Sequence, residues 1–153
     1  VVVDVELEGP QRAGAAVGVQ LGALRLAGRC DAAGRLRLSV RQSRDLALWS
    51  PEEPILHALT IAAGADRVSE RVGLRSIATQ GRQILLNGRP IFLRGISLHE
   101  EPLGPEGTRR MTEADAGRLL GEAKALGCNF VRLAHYPHSE ATLRFADALG
   151  LIV

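Results

Sequence analysis

The sequence predicts an α+β chain of two parts, an antiparallel β-sandwich followed by parallel βα units that begin a larger sheet. Three observations carry this prediction. Apolar and polar residues alternate with a period of two through much of the first 75 residues. After about residue 83 the spacing changes to strand, helix, strand, helix, strand. The helices of that second part have capping residues at both ends.

In the first part, Val1, Val3, Val5 and Leu7 alternate with Val2, Asp4 and Glu6, and Leu36, Leu38 and Val40 with Arg35, Arg37, Ser39 and Arg41. Alternation of this kind puts one strand face on a core and the other in water. Turn signals fall at Gly9-Pro10, Gly28, Ala33-Gly34, Ser50-Pro51 and Gly64. Short strands broken about every ten residues suggest a sandwich of immunoglobulin type. The Cys…Trp…Cys pattern of antibody domains is missing, so the expectation concerns architecture alone.

In the second part, Ile84-Leu85-Leu86, the turn Asn87-Gly88 and Ile91-Phe92-Leu93 form a hairpin signal, because Asn-Gly readily takes positive φ. Thr112 is placed to cap a helix, with Asp115 three residues on as a variant capping box. Ala116, Leu119, Leu120, Ala123 and Leu126 follow helical spacing and Gly127 ends it. Asn129 to Ala134 read as a strand. Ser139 starts a second helix with Leu143, Ala146 and Leu149 as its apolar stripe, Gly150 ends it, and Leu151-Ile152-Val153 opens another strand. This order builds parallel βα units. An eight-fold βα barrel takes about 250 residues, so the chain has room for about its first quarter and is expected to be a truncated (β/α)8 barrel. The expected domains are 1–76 and 77–153.

Composition excludes several classes. A net charge of +2 without a basic block gives no electrostatic footprint for nucleic acid. No apolar run approaches the roughly 20 residues of a membrane span. Cys30 and Cys128 are isolated from each other, which fits buried free thiols rather than a disulfide framework or metal cluster. Val1 opens directly into a strand-like run, so the compartment is not legible.

Functional residues of parallel βα folds collect where strands end. Ser97-Leu98-His99-Glu100-Glu101 follows the first such strand and His135-Tyr136-Pro137-His138 the second. Together they could form one polar wall. His135 and His138 with His99 and Glu100 also raise a metal site, but Pro137 lies between the two histidines and nothing forces them to converge, so no metal ligand is assigned. Arg132, inside the second strand, needs a carboxylate partner or exposure toward the pocket. Both readings stay open for it, and Arg94 before Gly95 is equally ambiguous. Trp49, ahead of a Pro-rich turn, reads as a packing anchor rather than a sugar-stacking platform, and His57 as structural.

Four segments together resemble glycoside hydrolase family 2, the group of β-galactosidases and β-glucuronidases. They are Leu48-Trp49-Ser50-Pro51-Glu52-Glu53-Pro54; Arg71-Val72-Gly73-Leu74-Arg75; Leu86-Asn87-Gly88-Arg89-Pro90-Ile91-Phe92-Leu93-Arg94-Gly95 with His99-Glu100; and Asn129-Phe130-Val131-Arg132-Leu133-Ala134-His135-Tyr136-Pro137 through Asp147 and Gly150-Leu151-Ile152-Val153. Leu133 departs from the family's small residue, and Thr142 from an apolar one. The retained His-Tyr-Pro points to the galactosidase and glucuronidase side without choosing between them.

The resemblance implies retaining hydrolysis of a β-glycoside by an acid and a nucleophilic carboxylate. Both are glutamates of later barrel strands, and Glu100 and Glu101 do not match them. The matching pocket positions are His99, Arg132 and His135, implied to hold sugar hydroxyls and support developing charge, with Arg94, Glu100 and Tyr136 behind them. The partner implied is a carbohydrate. No cofactor is implied for this segment, though the parent could hold a divalent cation such as Mg. Two other readings compete. A stand-alone immunoglobulin-like binding module is disfavoured by an aromatic content of 3%, because sugar-binding modules present rings for stacking. A complete small metal-dependent hydrolase leaves the few-stranded sheet unexplained. The chain alone is expected not to turn over nitrophenyl β-galactoside or β-glucuronide; clear hydrolysis by a contaminant-free preparation would overturn that expectation.

Overall fold

The structure, a computed structural model, describes residues 1–41, 46–101 and 111–153. These residues form two compact units, Val1–Ala47 with His57–Leu74 and Leu48–Leu56 with Arg75–Val153.

The first unit is entirely antiparallel. Its strands are β1 (Val2–Glu6), β2 (Ala16–Leu21), β3 (Leu24–Arg29), β4 (Arg35–Ser39), β5 (His57–Ala63) and β6 (Asp66–Val72). β1 pairs with β4, and the other four form a sheet in the order β3-β2-β5-β6. The period-two pattern does what it predicts: Val5 is buried between exposed Asp4 and Glu6, and Val17, Val19 and Cys30 join it in one core with Leu26, Leu36, Leu38 and Ile61. Two antiparallel sheets therefore share a hydrophobic interior.

One turn signal is corrected. Gly28 lies inside β3 rather than at a break. A Cβ there would meet Leu36 Cδ1 at 2.9 Å, so the glycine makes room for Leu36 and Leu38 of β4. The Ala33-Gly34 turn is present, and Asp31 Oδ1 accepts the N–H groups of Ala33 and Arg35. The Arg35 N–H first of all holds the Asp31 carboxyl below the usual aspartate range.

In the second unit, β7 (Ile77–Gln80), β8 (Gln83–Leu86) and β9 (Arg89–Ile91) form a meander. Asn87 and Gly88 take φ of 53° and 77°, the tight turn that Asn-Gly favours. The expected apolar run breaks after Ile91: Phe92 leaves the strand and is 78% exposed. The βα units follow as β10 (Gly95–Leu98), α1 (Glu113–Ala125), β11 (Phe130–Leu133) and α2 (Glu140–Leu149). β10 and β11 pair in parallel, Gly95 beside Phe130 and Leu98 beside Leu133. Ile152 bridges Phe130 in parallel on the far side of β11. Among the described residues these strands do not close into a barrel.

Both helix starts follow the expected chemistry. The Thr112 hydroxyl accepts the Asp115 N–H, and Asp115 Oδ2 accepts the Thr112 N–H at 3.0 Å. Its hydrogen bond from the Thr112 hydroxyl holds the Asp115 carboxyl low. That stabilisation is complete above the ordinary aspartate value and fades as pH falls through the lowered one. At the far ends, Gly127 and Gly150 take φ of 81° and 73°. The apolar stripes need correction. Leu126 is the C-cap of α1 and 74% exposed, and Leu143 is 44% exposed. Thr142 and Ala146 are the buried residues of α2, with Phe145 and Leu149 packed beside them.

Helices and strands meet in a core of Leu120, Ala123, Cys128, Val131, Ala146 and Leu151. A second cluster gathers Trp49, Leu86 and Ile152, with Ile91, Leu93 and Phe130 against it. Trp49 is fully buried. Its Nε1 donates to Asp147 O at 2.8 Å, and the Arg75 guanidinium, paired with Asp147, lies 4.4 Å over its ring. The packing-anchor reading holds. The Asn129 side chain, also buried, accepts the Arg94 N–H at 2.8 Å and donates to Phe92 O at 2.9 Å. Asn129→Ala strands both backbone groups and should lower unfolding stability by about 2–3 kcal/mol, read from urea denaturation; a loss under about 0.5 kcal/mol would refute this role for the amide.

Candidate functional site

The C-terminal ends of β10 and β11 lie side by side because the strands pair in register, Ser97 opposite Arg132 and Leu98 opposite Leu133. Val131 and Leu133 turn toward α1 and α2. Arg132 therefore stands on the opposite face of β11, exposed, as strand alternation requires. It makes no hydrogen bond or ion pair with any described residue.

Beyond the strand ends the two loops converge. The His99 and His135 rings meet edge to face with centroids 5.0 Å apart. Both residues are exposed, and neither ring makes a hydrogen bond with a described residue. The Ala134–His135 peptide is cis. The two imidazoles, with the exposed guanidinium on the strand that leads to His135, offer N–H donors at these strand ends.

Glu100 and Tyr136 lie behind this surface and link the loops. The Glu100 N–H donates to Tyr136 Oη at 3.0 Å. Glu100 Oε1 accepts the N–H of Ser139, the N-cap of α2, at 2.7 Å, where a carboxylate also gains from the helix dipole. The Thr142 hydroxyl donates to the same oxygen at 3.4 Å. The Glu100 carboxylate is engaged in holding α2.

Arg94 does not join the group. It sits at the N-terminal end of β10, where its Nε donates to Gly127 O at 3.3 Å. Its carbonyl accepts from Asn129 and Phe130. Sequence reading put it near the pocket because it adjoins the right strand, but at the wrong end. His138, weighed there only as a metal ligand, is buried and points at Glu100. Among the described residues no three or more His, Cys, Asp or Glu side chains gather as a metal would require, and no helix is long and apolar enough to cross a membrane.

Residues 77–153 match the family described as glycosyl hydrolases family 2, TIM barrel domain. A β-galactosidase of Staphylococcus xylosus is 35% identical over 106 residues, covering 69% of this chain and 10% of that enzyme. A β-glucuronidase of Streptococcus agalactiae is 32% identical over 114 residues, covering 71% of this chain and 19% of that enzyme. Among solved structures, the β-glucuronidase of Parabacteroides merdae aligns with a TM-score of 0.80 at 27% identity, over 98% of this chain and 20% of its own. The chain thus spans between a tenth and a fifth of these relatives' lengths.

The site residues divide by duty, and stability measurements should separate them. His99→Ala and Arg132→Ala remove exposed side chains that make no hydrogen bond or ion pair with a described residue and should each cost under about 0.5 kcal/mol. Glu100→Ala, which uncaps Ser139, should cost about 1–2 kcal/mol. Equal losses in all three variants would show that the division is wrong.

Proposed function

Because the chain belongs to glycosyl hydrolase family 2, we propose that it is part of a retaining β-glycosidase acting on β-D-galactosides or β-D-glucuronides. The observation that carries this reading is the approach of His99 and His135 at adjacent parallel strand ends, with Arg132 on the strand that leads to His135, facing away from the helices.

On this reading residues 77–153 are the first part of a (β/α)8 catalytic barrel, and the immunoglobulin-like sandwich expected over 1–76 comprises Val1–Ala47 and His57–Leu74, with Leu48–Leu56 in the second unit. The shared core of two antiparallel sheets supports the second assignment. His99 and His135 hydrogen-bond hydroxyls of the carbohydrate. Arg132 supports negative charge developing near the reacting centre, where a fixed cation in a water-poor site is worth more than in solution. Glu100 and Tyr136 set the distance between the two loops, and Arg94 braces the other end of β10. The acid and the nucleophile, two glutamates of later strands, protonate the leaving oxygen and form the glycosyl-enzyme that water cleaves.

The test uses the longer parent enzyme. It should hydrolyse nitrophenyl β-galactoside or β-glucuronide and release the β-anomer first, observed by proton NMR before mutarotation. His135→Ala should lower kcat/KM by on the order of a hundredfold. First release of the α-anomer, or no hydrolysis of either glycoside, would defeat the proposal.

A further inference from the structure

His138 has the geometry of a working part that neither the pocket nor the core accounts for. Its side chain is 1% exposed although it sits in a loop, and loops seldom bury a titratable ring without cause. Nε2 lies 3.0 Å from Ala134 O. A carbonyl only accepts, so Nε2 carries a proton and donates it there. Nδ1 is buried, has no hydrogen-bond partner among the described residues, and faces Glu100 Oε1 at 3.8 Å. The ring stacks on Tyr136, centroids 5.2 Å apart and planes 19° apart.

These contacts run to both sides of His135. The Nε2–H bond ties the turn of residues 134–138 to the carbonyl that immediately precedes His135. The stack fixes Tyr136, which immediately follows it, and Tyr136 Oη accepts the Glu100 N–H beside His99. Glu100 in turn holds Ser139. One buried ring thus touches the residues on either side of His135 and the Glu100 that follows His99. We propose that His138 is a positioning residue: wedged between the Ala134 carbonyl, the Glu100 carboxylate and the Tyr136 ring, it fixes the separation of His99 and His135. Its effect on sugar binding rests on the glycosidase reading; its effect on the loops does not.

Substitutions separate positioning from mere packing. A Gln side chain can carry its amide nitrogen where Nε2 lies and keep the donor to Ala134 O; Asn is too short and Ala has none. In the full parent enzyme, His138→Ala and His138→Asn should raise KM about tenfold, as displaced pocket groups do. His138→Gln should recover to within about threefold. Loss of folded enzyme alone would lower kcat and the melting temperature and leave KM unchanged, so unchanged KM in His138→Ala overturns the proposal. Hydrogen exchange over residues 98–101 and 134–142 gives a second reading independent of turnover. It should quicken about tenfold in His138→Ala and stay near wild type in His138→Gln; equal exchange in wild type and His138→Ala also overturns it. A wild-type parent that cleaves neither glycoside sinks the glycosidase reading, and the exchange experiment then decides the role of His138 alone.

Discussion

A buried primary amide must find partners for its oxygen and its nitrogen, or burial costs it several kcal/mol. Asn129 finds both on the short link between β9 and β10, at Arg94 N and Phe92 O, while the Arg94 carbonyl accepts from Asn129 and Phe130. That exchange fixes the register at which β11 enters beside β10, and register in a parallel pair decides which residues share a face. One step of slippage would turn Arg132 into the helix-facing core and Val131 out of it. Gly95 enforces the same alignment sterically, since a Cβ there would lie 2.3 Å from Phe130 O. The polar wall at the strand ends therefore depends on contacts at the opposite ends of the same strands.

The legible parts of the fold were those with local causes. Thr112, Asp115, Ser139, Gly127 and Gly150 act within one helical turn, and each works as its residue type predicts. Asn87-Gly88 and the alternation of Val1 to Leu7 are equally local. The parts that misled were those whose cause lies far away in sequence. Gly28 resembles a break until Leu36 and Leu38 come to lie against it. Leu143 and Leu126 fit the helical period, but the core admits Thr142 and Phe145 in place of Leu143, and Leu126 falls at the cap.

The candidate site divides in the same way. The placement of His99 and His135 at adjacent strand ends was legible because βα units order their strands in parallel, and the pairing brings the two rings to 5.0 Å. Arg94 was misjudged because adjacency in sequence says nothing about which end of a strand a residue occupies. Glu100 was placed behind the pocket residues, but what it holds there, the Ser139 amide, is visible only in the structure. Thr142, which departs from the apolar residue of the family it resembles, gains its reason from the same carboxylate.

Lys124 is the chain's single lysine, and its ammonium is occupied. Nζ donates to Pro51 O at 2.8 Å and to Gly150 O at 3.2 Å, clipping the Leu48–Leu56 segment to the end of α2. Amine-acylating reagents must reach Nζ, which is held against these two carbonyls. Apart from the α-amino group, bonded to Val40 O, the polypeptide carries no other primary amine. The sequence thus contains its own footprinting probe: modification at residue 124 reports that the clip has opened.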